Sequence, residues 1–293
     1  MRAAFFPGCL IPIKYLQMEV AIRRTLPLLG LEIVDLEGFS CCPDPIYFQA
    51  ADKVNWLTMA ARNLCLAEEA DLDIFTICSG CTCTLSEANH TLKTDAKLRE
   101  RVNHRLKRIG KEFKGTILVR HVVPLIRDEI GFDRIKETVK RPLTDVRVAA
   151  HYGCHLLKPS NIMQIDDPDD PQILFQFIDA LGAEPVRHLE RFLCCGKACT
   201  DPDLPMEMTR SVLLSIKQAD VDCMGMVCPT CFSSFDTGQL MISRQTGEKI
   251  DVPPVYLFQL LGLAQGFSPE EMGLTKHRVK PKSLIAKLST EVC

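Results

Sequence analysis

The sequence predicts an α/β protein built from two copies of one unit of parallel β/α elements, the copies related by pseudo-two-fold symmetry. Three observations predict it. Strand-length apolar runs alternate with segments of helical apolar spacing along the chain. Five cysteines of the first half recur in the same order in the second. The length, 293 residues, suits two domains of roughly 150 residues each.

The elements follow in order. Residues 2–6 form a β-type apolar run, and residues 16–29 have helical spacing that stops at Gly30. Residues 31–36 alternate as a strand, and a loop then carries Cys41, Cys42 and Pro43. A helix is expected over 46–69, a buried strand over 73–77 ending at Cys78, a strand over 116–120, and a helix from there to about 130. The second half repeats this with strand 146–151, helix 172–181, strand 185–189 and a cysteine loop. Helix 204–218, strand 223–227, strand 255–258 and a short helix complete it. Residues 131–145 are charged and without apolar periodicity, which places the domains at 1–140 and 146–265, with a tail over 266–293. Residues 156–171, rich in Asp, Pro, Ser and Asn, read as a loop. The tail carries Lys276, Arg278, Lys280, Lys282 and Lys287 and reads as a solvated terminus or as a docking segment for a partner protein.

Composition excludes several classes. A hydrophobic share of 46% with 25% charged residues is an ordinary globular profile, and a net charge of −2 argues against a nucleic-acid binder. No run of about 20 apolar residues predicts a membrane span. The N-terminal apolar stretch is broken by Pro7 and Pro12, so no signal peptide is expected and the location reads as cytoplasmic. Fifteen cysteines, an odd number in a chain of this kind, point to metal ligands or redox groups rather than to a disulfide framework.

The cysteines carry the chemistry. The first half reads C-x31-CC-x35-CxxC, from Cys9 through Cys41, Cys42, Cys78 and Cys81. The second reads C-x39-CC-x32-CxxC, from Cys154 through Cys194, Cys195, Cys228 and Cys231. A shared L-E-x-F-x-C-C surrounds each cysteine pair, at Leu36–Cys42 and Leu189–Cys195. All three blocks fall at the ends of expected strands, the edge where open α/β sheets bind ligands. Thiolates select zinc, copper(I) or iron–sulfur clusters. A structural zinc takes four ligands, and adjacent cysteines diverge in extended backbone, so five per half favour a larger iron–sulfur group. A CxxC pair in each half that holds zinc or forms a redox disulfide, or zinc in one half and a cluster in the other, are the alternatives. Cys65, Cys83, Cys199, Cys223 and Cys293 have no repeat partner and read as packing or spectator thiols, Cys83 and Cys199 being nearest the motifs.

This twin motif resembles the CCG cysteine-rich domain family, over about residues 1–265. In its stand-alone two-domain form it is similar to the B-type components of the soluble heterodisulfide reductases of methanogenic archaea. The first motif, from Phe6-Pro7-Gly8-Cys9 to Cys81, fits the family closely; the second departs in having x32 before Cys228. The resemblance implies two noncubane [4Fe–4S] clusters, one on each set of five cysteines. It implies reduction of the coenzyme M–coenzyme B heterodisulfide to two thiols, in methanogenesis. Two clusters that each pass one electron would account for the duplication.

A proton donor is expected near the second motif, where His151 and His155 bracket Cys154, with His155 the stronger candidate. Lys158 and Lys197 lie close to ligand blocks and suit the anionic groups of the substrate. The resemblance also implies partners. These are a ferredoxin-like iron–sulfur subunit, a flavin-containing electron-bifurcating subunit, and beyond them a hydrogenase or formate dehydrogenase. Two rivals remain. One is a CCG redox component of another oxidoreductase, such as thiol:fumarate reductase or a lactate or glycolate oxidase. The other is a non-catalytic zinc scaffold.

Overall fold

Two four-stranded parallel sheets organise the chain in the computed structural model, which describes residues 1–201 and 204–290. The first contains β1 (Arg2–Phe6), β2 (Glu32–Asp35), β3 (Ile74–Thr76) and β4 (Val119–His121), in the order β2-β1-β3-β4. The second contains β5 (Arg147–His151), β6 (Glu184–Val186), β7 (Cys223–Met226) and β8 (Pro254–Tyr256), in the order β6-β5-β7-β8. The α/β class and the duplication are therefore present as the sequence predicts.

In each sheet the first strand is central, pairing on one side with the second and on the other with the third. The winding reverses beside that strand, which opens a crevice at the carboxyl ends of the strands. The apolar runs face covering helices. Phe5 stacks on Phe75 at 5.2 Å, and Trp56, Leu57, Ala60, Ala61 and Leu64 of the helix Lys53–Glu69 are buried. Each large apolar side chain buried in this way contributes about 1.5–3 kcal/mol.

Several expectations need adjustment. The helix expected over 46–69 is two helices, Tyr47–Ala51 and Lys53–Glu69, because Asp52 leaves helical backbone and caps the second by accepting from Asn55 N at 2.9 Å. The strand expected over 116–120 lies at Val119–His121, and that over 185–189 at Glu184–Val186. The charged segment 131–145 contains a helix, Phe132–Thr138, pinned by buried Ile135 and by Phe132 packing on Phe177 at 6.0 Å. Each CxxC opens a long helix that sequence reading misses, Ser79–Thr94 and Pro229–Thr246. A further helix, Ala96–Leu106, is also missed.

The tail is not a solvated terminus. Met272, Leu274, Leu284 and Leu288 are buried, Glu271 pairs with Arg24 of the first half at 2.6 Å, and the Asp236 carboxylate accepts from Arg278 N and Val279 N, each at 2.9 Å. Its apolar residues pull it onto its own chain while its lysines face outward or pair, as Lys287 does with Asp222 at 2.7 Å.

Two hydrogen bonds between the halves form a matched pair, as around a two-fold axis. His121, which ends β4, donates from Nε2 to Val227 O at 3.2 Å; its Nδ1 accepts from Val123 N at 3.3 Å, which fixes the tautomer. Tyr256, which ends β8, donates from its hydroxyl to Ile77 O at 2.7 Å. Val227 and Ile77 are the residues just before Cys228 and Cys78. Among the described residues no helix is long and apolar enough to cross a membrane.

Candidate metal centre

The backbone brings the cysteines together in the same way twice. Gly8 and Gly153, each just before a lone cysteine, adopt φ +69° and +70°. A Cβ at Gly8 would lie 2.8 Å from Cys81 Sγ, and one at Gly153 would lie 3.2 Å from Cys231 Sγ. Glycine thus permits both the turn and the approach of the first cysteine to the CxxC sulfur. Cys78 and Cys228 cap their helices from extended backbone, at φ −127°, ψ 117° and φ −131°, ψ 122°. Three positions on, Cys81 and Cys231 return to the same helix face.

Buried polar side chains hold the cysteine-pair loops. Asn63 accepts from Ser40 N at 2.9 Å and donates to Cys41 O at 3.2 Å, and Thr84 donates to Pro43 O at 3.0 Å. In the second half Thr209 donates to Cys195 O at 2.9 Å, and Gly196 N donates to Cys194 Sγ at 3.4 Å. Sequence reading misses these positioning residues, together with His121 and Tyr256. Asn63 does leave a signal, a lone polar residue on an otherwise apolar helix face.

The ten motif thiols form one unbroken chain of neighbours. It runs Cys9–Cys41–Cys42–Cys81–Cys78 in the first half, crosses to Cys228, and continues Cys231–Cys195–Cys194–Cys154. Cys154 and Cys194 sulfurs are 3.9 Å apart. Such crowding splits the thiol acidities. Cys42 is held low by thiol donors Cys41 and Cys81, Cys194 by Cys154 and Cys195, and Cys228 by Cys231 and Cys78. The donors go the other way: hydrogen bonding to Cys42 pushes Cys41 and Cys81 up, and hydrogen bonding to Cys194 pushes Cys154 up. All ten cannot ionise together unless positive charge enters among them.

Two clefts open on this chain of thiols. All five cysteines of the first half line one of them. All five of the second half, Cys154, Cys194, Cys195, Cys228 and Cys231, line the other. They share Asp44, Pro45, Gly80 and Thr230 as wall, so each CxxC contributes to its neighbour's cleft. His155 and Lys197 line the second cleft, and His155 Nδ1 is 3.7 Å from Cys154 Sγ. Lys158 is exposed and lines neither; its carbonyl accepts the Cys83 thiol at 3.6 Å. His151 is buried beneath the second set, and burial together with His188 holds its pKa down to about 3.

The unpaired cysteines sit apart from both linings. Cys65 and Cys83 are buried, and desolvation pushes each thiol up to about 12. Cys223 is buried within β7, and Cys199 is half-buried, its carbonyl accepting from the Tyr47 hydroxyl at 2.8 Å. Cys293 lies outside the described residues.

The donor set fits a soft metal group. Five sulfurs face each cleft, Ser79 Oγ at the second cleft has no partner, and neither has either nitrogen of His151. Among the described residues no three His, Cys, Asp or Glu side chains are arranged to hold a single metal ion. The thiols line up along the clefts instead of surrounding one point.

The cysteine-rich domain of the CCG type matches the chain twice, over residues 3–86 and 148–236. The B-type component of a ferredoxin/F(420)H(2)-dependent CoB-CoM heterodisulfide reductase of Methanosarcina acetivorans is 38% identical over 98% of this chain and 97% of that protein. An 8-methylmenaquinol:fumarate reductase membrane anchor subunit of Wolinella succinogenes is 31% identical over 96% of this chain and 98% of that protein. The crystal structure of a hypothetical protein from Helicobacter pylori superposes with a TM-score of 0.76 at 16% identity, over 95% of this chain and 52% of that one. At that identity the likeness concerns the fold alone.

Proposed function

The chain belongs to the CCG cysteine-rich domain family, and from that membership we propose that it is the disulfide-reducing component of a soluble heterodisulfide reductase. Its substrate is the coenzyme M–coenzyme B heterodisulfide. One observation carries the reading: two five-cysteine clefts share a wall and meet thiol to thiol at Cys78 and Cys228, in a chain alike over its whole length to the B-type component of a heterodisulfide reductase.

Cys9, Cys41, Cys42, Cys78 and Cys81 hold one noncubane [4Fe–4S] cluster, and Cys154, Cys194, Cys195, Cys228 and Cys231 hold the other. When bound, the pair supplies the two electrons that cleavage of one S–S bond consumes. The shared wall of Asp44, Pro45, Gly80 and Thr230 presents the substrate to both clefts at once. His155, half-buried in the second cleft, delivers one of the two protons that the product thiolates take up, and solvent supplies the other. Lys197 pairs with an anionic group of the substrate. Lys158, outside both linings, reaches only parts of a ligand that project past the cleft. Electrons arrive from a ferredoxin-like iron–sulfur subunit fed by a flavin-containing bifurcating subunit, with a hydrogenase or formate dehydrogenase beyond.

Elemental analysis of anaerobically purified protein tests the cofactor. About eight irons and eight acid-labile sulfides per chain are expected; zinc without iron would replace this reading with the scaffold. Turnover of the heterodisulfide by iron-replete protein with an artificial reductant tests the substrate. The likeness to the Wolinella fumarate reductase protein favours a second reading, a CCG redox component serving another oxidoreductase. Full iron with no heterodisulfide turnover selects it.

A further inference from the structure

Beneath the second cysteine set lies a buried imidazole with nothing to bond. His151 ends β5, is 1% exposed, and neither Nδ1 nor Nε2 has a hydrogen-bond partner. The rings of Phe235, edge-on at 4.8 Å, and of His188, stacked at 6.5 Å, box it in. The two imidazoles are stacked and exchange no hydrogen bond; His188 Nδ1 faces Ser215 Oγ at 3.4 Å instead. Burial keeps His151 neutral, so one ring nitrogen carries a hydrogen and gives up its hydration for no return within the protein.

What stands nearby is sulfur. His151 pairs in the sheet with Met226, two residues before Cys228, and precedes Cys154 by three. Cys228 and Cys194 are near enough to act on its charge. The first half is different at this point. The third residue before its lone cysteine is Phe6, buried against Phe39 at 5.0 Å, with no hydrogen to donate.

We infer that His151 donates a hydrogen bond to a sulfur of the iron–sulfur group held by Cys154, Cys194, Cys195, Cys228 and Cys231, and so sets that site at a higher reduction potential than its twin. The inference rests on the proposed function for the presence of the group. A hydrogen bond to sulfur favours the reduced, more negative form, and such bonds are among the determinants of iron–sulfur potentials. Phe6 supplies none in the first half. The first electron to enter the protein therefore settles on the second site, where His155 and Lys197 also stand. His151 acts as a positioning residue and touches no substrate.

The test uses the full iron-loaded chain, with iron and sulfide counted before an EPR-monitored redox titration. His151→Phe copies the first half. It is expected to keep the iron count and the first site's potential, and to shift the second site's potential negative. Pulsed EPR of protein labelled with ¹⁵N-histidine is expected to lose one nitrogen coupling in this variant. His151→Asn keeps a donor and is expected to recover part of the shift. Phe6→His is expected to move the first site's potential positive, and this arm decides the matter if the His151 variants fail to take up iron. Iron-replete His151→Phe with both potentials and the nitrogen couplings unchanged would overturn the inference, since a buried water would then satisfy the ring. Wild-type protein without iron would overturn the proposed function first, and this with it.

Discussion

In the first half the outer thiols, Cys9 and Cys41, stand exposed, Leu10 follows the lone cysteine, and Phe6 and Phe39 pack beneath it. In the second half Cys154 and Cys194 are half-buried, His155 follows the lone cysteine, and His151 and His188 lie beneath. The backbone devices are shared: the left-handed glycine, the extended cap at the CxxC, and the cysteine pair at the strand edge. The duplication has kept whatever moves sulfur into position. It has diverged in the side chains that can hold or pass a proton.

The largest effect comes from removing one ligand in each half. Cys42→Ser and Cys195→Ser are each expected to cost about half of the bound iron, read by elemental analysis, and each to abolish heterodisulfide turnover. Loss of all iron from either single substitution would mean that the clefts do not load as separate units. Next is His155→Leu, which gives the second half the residue of the first. Turnover is expected to fall about a hundredfold with iron content unchanged. An undiminished rate at full iron loading would remove His155 from the reaction.

Acid should reveal the same asymmetry in stability. Burial lowers His151 to about 3 and His188 to about 4 in the second half, His277 to about 4 in the tail, and His121 to about 4 in the first half. An unfolded histidine takes a proton near pH 6.5, whereas these stay neutral when folded. Their contribution is therefore nil above about pH 6.5. It destabilises progressively as pH falls toward about 4, at up to ~1.4 kcal/mol per pH unit for each ring. Urea unfolding of the metal-free chain between pH 7 and 4 measures this, and His277→Asn is expected to flatten the slope by about one ring's worth. The smallest effect belongs to the glycines. Gly8→Ala and Gly153→Ala are each expected to lower stability by about 1–2 kcal/mol through strain at positive φ. Gly8→Ala is expected to lose more, because its Cβ would stand 2.8 Å from sulfur against 3.2 Å. The reverse order of urea midpoints would show that the tighter contact relaxes freely.

The repeated cysteines and the apolar strand runs are legible because each is a local or countable pattern. The helices that begin at the CxxC are not. Ser79-Gly80-Cys81-Thr82-Cys83-Thr84 is poor in helix formers. That helix is held instead by burial and by hydroxyl bonds, Thr76 with Thr82 at 2.7 Å and Thr82 to Cys78 O at 3.1 Å. The tail misleads through its lysines, which draw attention from Leu284 and Leu288. Lys158 is near Cys154 in sequence, but its side chain lies outside the cleft linings. The bonds of His121 and Tyr256 across the halves span 106 and 179 residues, so no window of sequence can display them.

Those two bonds have an evolutionary meaning. Each half reaches over, from the end of its fourth strand, to the carbonyl just before the other's CxxC. Reciprocity of this kind is the signature of an isologous interface between identical protomers. A single-unit ancestor could have paired with its own copy through the same contact, but every change at one site would then have appeared at both. Fusion into one chain lifted that constraint. One copy carries Phe6 and Leu10 and the other His151 and His155 at the matching places, a difference that a symmetric pair of identical chains could not hold.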